Sequence, residues 1–171
     1  MTARWIIAFV AGAGLAAAPV QAQTARVVAL GASNTAGKGV GAGAAWPAQL
    51  QALLRRQGHA VQVINAGISG DDTGRMLARL ARAVPAGTRL VIVDKAATND
   101  RLRGIDTDAN VAAITARLQA RGVSVIVISG MHDWAGRRLQ PDGVHITAEG
   151  HAAVAARLAP QVAGALGAAG R

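Results

Sequence analysis

Four short β-branched runs recur along the chain: "RVVALG" (26–31), "AVQVINAG" (60–67), "RLVIVD" (89–94) and "VSVIVISG" (123–130). Each is apolar at successive positions rather than at every second one, which is how strands read when both faces of a parallel sheet are covered. Helical patterns fill the gaps. "WPAQLQALLRRQG" sets Trp46, Leu50 and Leu53/Leu54 on one stripe, with Pro47 near its start and Gly58 as its stop. "TGRMLARLARAV" repeats Met76/Leu77, Leu80 and Val84, so the spacing predicts one helix across it. "DTDANVAAITARLQARG" carries Val111, Ile114 and Leu118 and closes on Gly122; "TAEGHAAVAARLAPQVAGAL" opens on Thr147 with Glu149 close behind. Strand–helix alternation of this kind makes an α/β chain: a parallel sheet, doubly wound, in three layers with four main strands.

That architecture restricts where chemistry occurs. In an open parallel sheet, ligands bind outside the carboxyl ends of the strands. The segments to compare are therefore Gly31 to Asn34, Asn65 to Asp71, Lys95 to Asp100, and the loop from Gly130 to His145. However distant in sequence, they share one edge.

The first residues read as a different kind of segment. Arg4 supplies a positive start, "WIIAFVAGAGLAAA" an apolar stretch, and "VQA" ending at Ala22 a small-residue cleavage site. That order is a secretory signal peptide at 1–22, leaving one domain at 23–171 and a periplasmic or secreted destination. The stretch is rich in Ala and Gly and too short for the roughly 20 strongly apolar residues of a spanning helix, so no stable membrane span is expected after cleavage. The chain has no Cys, which excludes a lipoprotein anchor and disulfides. Loss of the leader lowers the net charge from +9 to +8, since only Arg4 goes with it. The basic residues are scattered arginines, and Trp46 and Trp134 are the only aromatics beyond the leader. Base-stacking surfaces need more than that, so a nucleic-acid partner is not expected.

"VVALGASNTAGKG" at the first strand's end admits two chemistries. A phosphate loop needs Gly, four residues, Gly-Lys, then a hydroxyl residue for magnesium. Gly37-Lys38 is present, but Ala32 stands five places before Gly37 and Gly39 replaces the hydroxyl. The alternative is a serine nucleophile, which needs a base, a group that orients the base, and donors for an oxyanion. The same edge offers all three. Asp142 precedes His145 by three residues in "PDGVH", so one turn projects both toward Ser33. Gly70, Asn99 and the Ser33 amide are candidate oxyanion donors.

Here the chain resembles the SGNH hydrolases, also called the GDSL esterase/lipase family, and most of all their small bacterial thioesterase/arylesterase-type members. "GASNTAGKG" resembles the family's nucleophile block and "NAGISGDDT" its block with the oxyanion glycine. "AATND" resembles the block with the oxyanion asparagine, and "DGVHITAEGH" the block with acid and base. The resemblance implies a flavodoxin-like SGNH fold, a triad of Ser33, His145 and Asp142, and an oxyanion hole of Ser33, Gly70 and Asn99. It also implies a small-molecule ester or thioester substrate. The departures are Ala32 and Asn34 where the first block has Asp and Leu, and Ala97 where the third has Gly. Only Met131 to Asp142 separate the fourth strand from the acid, where relatives carry another helix and often a fifth strand. A trimmed enzyme with a shallow, open cleft suited to short acyl chains is the expectation, with an inactive SGNH-like binding protein as the alternative.

The remaining conspicuous residues get plainer assignments. His132 and Asp133 shape the loop or face water, and His151 and His59 are surface histidines. Ser69 is a loop hydroxyl. Asp71 and Asp100 cap helices or tie down loops. Lys38, Arg75, Arg101 and Arg103 form solvated positive surface. No cluster has metal-ligand spacing, and no cofactor is expected.

Overall fold

In the computed structural model, which describes residues 23–168, four strands form one parallel sheet: β1 (Ala25–Gly31), β2 (Val61–Gly67), β3 (Thr88–Asp94) and β4 (Ser124–Ile128). Their order is β2-β1-β3-β4. β1 and β3 are central and buried on both faces, while β2 and β4 are edges and only half-buried. Register brings the strand ends level. Gly31 lies beside Gly67, and Asp94 beside Ile128.

Alternation along the central strands sorts the core into two layers. Val27, Ala29, Leu90 and Ile92 face one side, packing with Trp46, Leu50 and Leu54 of α2 (Trp46–Arg56) and with Val154, Leu158 and Val162 of α8 (Ala148–Ala168). Val28, Leu30, Val91 and Val93 face the other, against Met76 of α3 (Thr73–Ala78), Leu80 of α4 (Leu80–Ala83), and Ile114 and Leu118 of α6 (Thr107–Gln119). The result is the three-layer, doubly wound α/β arrangement that the runs predict.

The differences are local. The single helix expected across 73–84 is broken at Arg79, whose φ of −98° and ψ of 8° leave the helical region between α3 and α4. Its side chain explains the break. It is buried, reaching Asp71 Oδ2 at 2.6 Å and the carbonyls of Ala66 and Gly31 at 2.8 and 3.3 Å. Short helices stand at the carboxyl edge where no periodicity announces them: α1 (Ser33–Ala36), α5 (Ala97–Arg103) and α7 (Met131–Trp134). The leader at 1–22 lies outside the described residues. Among those described, no helix is long and apolar enough to cross a membrane.

Candidate active site

β1 ends at Gly31, and the chain turns through buried Ala32 so that Ser33 opens α1. This turn sits where no side chain fits beneath it. A Cβ on Gly67, at the end of β2, would stand 2.3 Å from the Ala36 nitrogen. The turn is then pinned from β3. Thr35 Oγ1 donates to Asp94 Oδ2 at 3.1 Å, and the Asp94 carboxylate also accepts from the Ala96 and Ala32 amides. Burial pushes the Asp94 carboxyl up, and these hydrogen bonds offset part of that rise. Ala32, where the resemblance expects an Asp, is buried in the apolar layer beside Leu30 and Met76. The carboxylate supporting the loop comes instead from the adjacent strand. The visible signal was a charged residue ending an otherwise apolar run, "RLVIVD".

On the opposite side, Asp142 organises its own turn. Oδ1 accepts from the amides of Val144 and His145, both at 2.9 Å, and Oδ2 lies 2.5 Å from His145 Nδ1. The His145 ring and these two amides hold the Asp142 carboxyl well below the usual carboxylate range. His145 is buried, and its Nε2 lies 3.0 Å from Ser33 Oγ across 112 residues of sequence. A carboxylate on Nδ1 keeps the proton there, which leaves the Nε2 lone pair facing the hydroxyl. Ser33, His145 and Asp142 thus form one continuous hydrogen-bonded chain.

The other sequence candidates are placed more variously. Asn99 sits in α5 and donates through Nδ2 to the Asp71 carbonyl at 2.6 Å, leaving a second amide proton. Gly70 occupies the third position of the turn closed by the Asp71 amide on the Ile68 carbonyl, with φ of 82°. That conformation, which favours glycine, is the reason for the residue. A Cβ there would meet nothing within 4 Å, so close packing is not. The backbone departure in the third block falls at Ala96, which has φ of 48°, and not at Ala97, which begins α5. Asp100 is buried and ties two loops together, accepting from the Thr73 amide at 2.8 Å and from Thr73 Oγ1 at 2.6 Å. Asp71 does the same through Arg79. Arg103 is not merely solvated, since it donates to the Gly70 carbonyl at 2.9 Å and to Asp72 at 3.1 Å. His132 touches the base loop, its Nε2 lying 2.8 Å from the Val144 carbonyl, while Asp133 pairs with Arg137 at 3.1 Å.

One assignment is overturned. His151 is not a surface histidine but fully buried, and its Nδ1 accepts from the Trp46 amide at 3.1 Å. Its position on the helix explains why. It lies three, four and seven residues before Val154, Ala155 and Leu158, on the buried stripe of α8.

A cavity of about 260 Å³ opens beside the serine, lined by Ser33 and Asn34 after β1, Asp94 to Asn99 after β3, Ile128 to Asp133 after β4, and Arg137 and Val144. It lies at the carboxyl edge over β1, β3 and β4, and so takes in the crevice between β1 and β3 where the winding of the sheet reverses. Asn99 lines it together with Ser33; Gly70 is outside that lining. Among the described residues no group of three or more His, Cys, Asp or Glu is placed to hold a metal ion.

Sheet order and edge geometry define the class: a three-layer, doubly wound α/β protein with its candidate site at the carboxyl edge of the sheet. The chain belongs to the GDSL-like lipase/acylhydrolase family, whose model matches residues 29–138. It is similar to esterase TesA of Pseudomonas aeruginosa, 31% identical over 111 residues, covering 63% of this chain and 55% of that protein. An arylesterase of Vibrio mimicus is 31% identical over 106 residues, covering 60% and 53%. The aligned part of the chain thus spans about half the length of these relatives. Among solved structures, that of a TesA matches with a TM-score of 0.62 and 26% identity, over 82% of this chain and 98% of that one. The psychrotrophic esterase EstA of a Pseudoalteromonas species gives 0.70 at 19% identity, over 83% and 98%, a likeness of fold alone.

Proposed function

We propose that the protein is a serine hydrolase that cleaves carboxylic esters or thioesters, with a preference for short acyl groups. The observation that carries this reading is the Asp142–His145–Ser33 hydrogen-bonded chain, with bonds of 2.5 and 3.0 Å, ending on a hydroxyl that lines the cavity. Ser33 Oγ attacks the acyl carbon and passes its proton to His145 Nε2, which then protonates the departing alkoxide or thiolate. Asp142, ionised well into acid, holds the imidazole in its tautomer and stabilises the imidazolium. Water, deprotonated by His145, then attacks the acyl-enzyme and returns Ser33 to its free form. The Ser33 amide, at the start of α1, needs no partner within that helix. With the spare Asn99 amide proton it supplies the oxyanion donors that line the cavity, each worth roughly 3–4 kcal/mol in the transition state. The Gly70 amide, outside that lining, is a third donor on the family resemblance alone.

The test is hydrolysis of p-nitrophenyl esters from acetate to laurate by the purified protein, beside Ser33→Ala and His145→Ala. Loss of turnover by at least about a thousandfold in both variants is expected. Equal rates for wild type and Ser33→Ala overturn the reading. A fluorophosphonate probe should label Ser33 in the folded protein; absence of labelling favours an inactive binding protein with this fold. We also propose export with cleavage after Ala22, which the amino-terminal sequence of the exported protein checks.

A further inference from the structure

We propose that Asn34 is a positioning residue that locks the base to the nucleophile, an inference that rests on the hydrolase reading above. Its side-chain amide spans the backbone on both sides of His145. Oδ1 accepts from the Ile146 amide at 3.0 Å and Nδ2 donates to the Val144 carbonyl at 3.2 Å. The same Val144 carbonyl takes a second hydrogen bond from His132 Nε2 at 2.8 Å. Asn34 follows Ser33 directly in α1, and α1 is itself fastened to β3 through Thr35 and Asp94. The imidazole is therefore referenced to the serine by a short tie from the residue beside it, and not only by the long path that joins them in sequence. Gln140, whose Nε2 donates to the Lys38 and Ile146 carbonyls at 2.9 Å each, braces the same loop from farther along the chain.

The base loop has need of such a tie. Between the end of β4 at Ile128 and the start of α8 at Ala148, the chain has the one-turn helix α7 and a single antiparallel bridge, Leu139 to Ile146. Neither a further strand nor a longer helix holds this segment. Holding a peptide N–H and a peptide carbonyl at once takes an acceptor and a donor on one short side chain. Asn has both, Asp has only the acceptor at neutral pH, and Leu has neither. The departure from the family's Gly-Asp-Ser-Leu block thus has a physical function. Asn34 also lines the cavity; its oxygen and one of its two amide protons are engaged by backbone, and the KM readout below separates a substrate contact through the other proton from positioning.

The experiment compares wild type with Asn34→Leu, Asn34→Ala and Asn34→Asp, with Ser33→Ala as blank. It measures kcat and KM on p-nitrophenyl butyrate, the rate of Ser33 labelling by a fluorophosphonate, and the folded fraction. Misplacing a catalytic group by about an ångström can cost on the order of a hundredfold. For the Leu and Ala variants kcat per folded molecule should fall by roughly ten- to a hundredfold, with labelling slowed by the same factor and KM nearly unchanged. Asn34→Asp, which keeps the bond to the Ile146 amide, should recover part of the loss. Wild-type kcat in Asn34→Leu overturns the proposal while leaving the hydrolase reading intact, and so does a loss confined to KM. Should both apolar variants fail to fold, Asn34→Asp decides alone, and wild-type kcat there also overturns it. A wild type that is neither labelled nor active overturns the hydrolase reading, and this inference with it.

Discussion

His151 sits neutral in the apolar layer between α2 and α8, because its Nδ1 must remain unprotonated to accept the Trp46 amide that opens α2. Its Nε2 is buried with no hydrogen-bond partner among the described residues. Burial pushes its pKa down to about 4. The folded value lies below that of the unfolded chain, near 6.5, so the unfolded state binds the proton first. Stability from this group is complete above pH 6.5 and is lost as the pH falls through that value toward 4. At one pKa unit per roughly 1.4 kcal/mol, the full loss is on the order of 3 kcal/mol. His151→Gln offers an amide oxygen to Trp46 and does not titrate. The wild-type unfolding free energy should fall by this component between pH 6.5 and 4 while that of the variant does not, so that the wild type's advantage shrinks as the solution is acidified; parallel curves would refute the assignment. Ala96 is the second residue out of its ordinary environment. A left-handed φ of 48° costs an L-residue roughly 1–2 kcal/mol, only partly offset by the entropy a glycine loses on folding. Ala96→Gly should therefore raise stability by roughly 0.5–1 kcal/mol, a Tm increase of about 2 °C, measured by thermal unfolding.

At the scale of elements, β-branched runs were legible because nothing competes with them. The four strands fall within a residue or two of their expected limits. Helices were legible where an apolar stripe spans several turns, as in α2, α6 and α8. The one-turn helices α1 and α7 were not, because four residues are too few to show a period. The break between α3 and α4 was hidden for another reason. Met76, Leu77, Leu80 and Val84 keep helical spacing straight through Arg79, and the departure comes from its side chain turning inward to Asp71, Ala66 and Gly31. Removing that guanidinium, as in Arg79→Met, leaves a buried carboxylate unpaired and should cost roughly 3–5 kcal/mol. Denaturant unfolding reads that directly. Because the Asp71 carbonyl holds the Asn99 amide, turnover of the folded variant should fall as well. Gly67→Ala tests the packing of β2 against α1. The added Cβ would stand 2.3 Å from the Ala36 nitrogen, so backbone must shift, with a cost of roughly 1–3 kcal/mol or more. Since α1 carries Ser33, fluorophosphonate labelling should slow in this variant, whereas an unchanged labelling rate would mean the turn does not rest on β2.

Across the whole molecule, the parallel sheet makes the site legible. Once strands alternate with helices, the segments following them must meet at one edge, and inspecting that edge named Ser33, Gly70, Asn99, Asp142 and His145 as candidates. The structure joins Asp142, His145 and Ser33 by hydrogen bonds and leaves Gly70 outside the cavity lining. The ties among those segments stayed hidden, because each is a pair of residues far apart in sequence: Asn34 with Ile146, Asp100 with Thr73, Arg79 with Asp71. Substrate size is likewise a property of the assembled edge. The short connection from β4 to α8 leaves a cavity of about 260 Å³, below the roughly 300–1,000 Å³ of pockets that enclose drug-sized ligands. Its apolar lining comes from Ala96, Ala97, Ile128, Met131 and Val144, with Ile128 and Met131 buried and Val144 exposed. An acyl chain laid against Ile128 and Met131 leaves water one methylene at a time. Each fully buried methylene is worth about 0.8 kcal/mol, or about fourfold in kcat/KM. That increment should operate from acetate to roughly butyrate or hexanoate, then vanish once the added carbons lie in solvent beyond Val144. Across a p-nitrophenyl series the slope of log kcat/KM against chain length should therefore break at a short chain. A slope continuing unbroken to laurate would mean that the acyl group lies elsewhere on the edge.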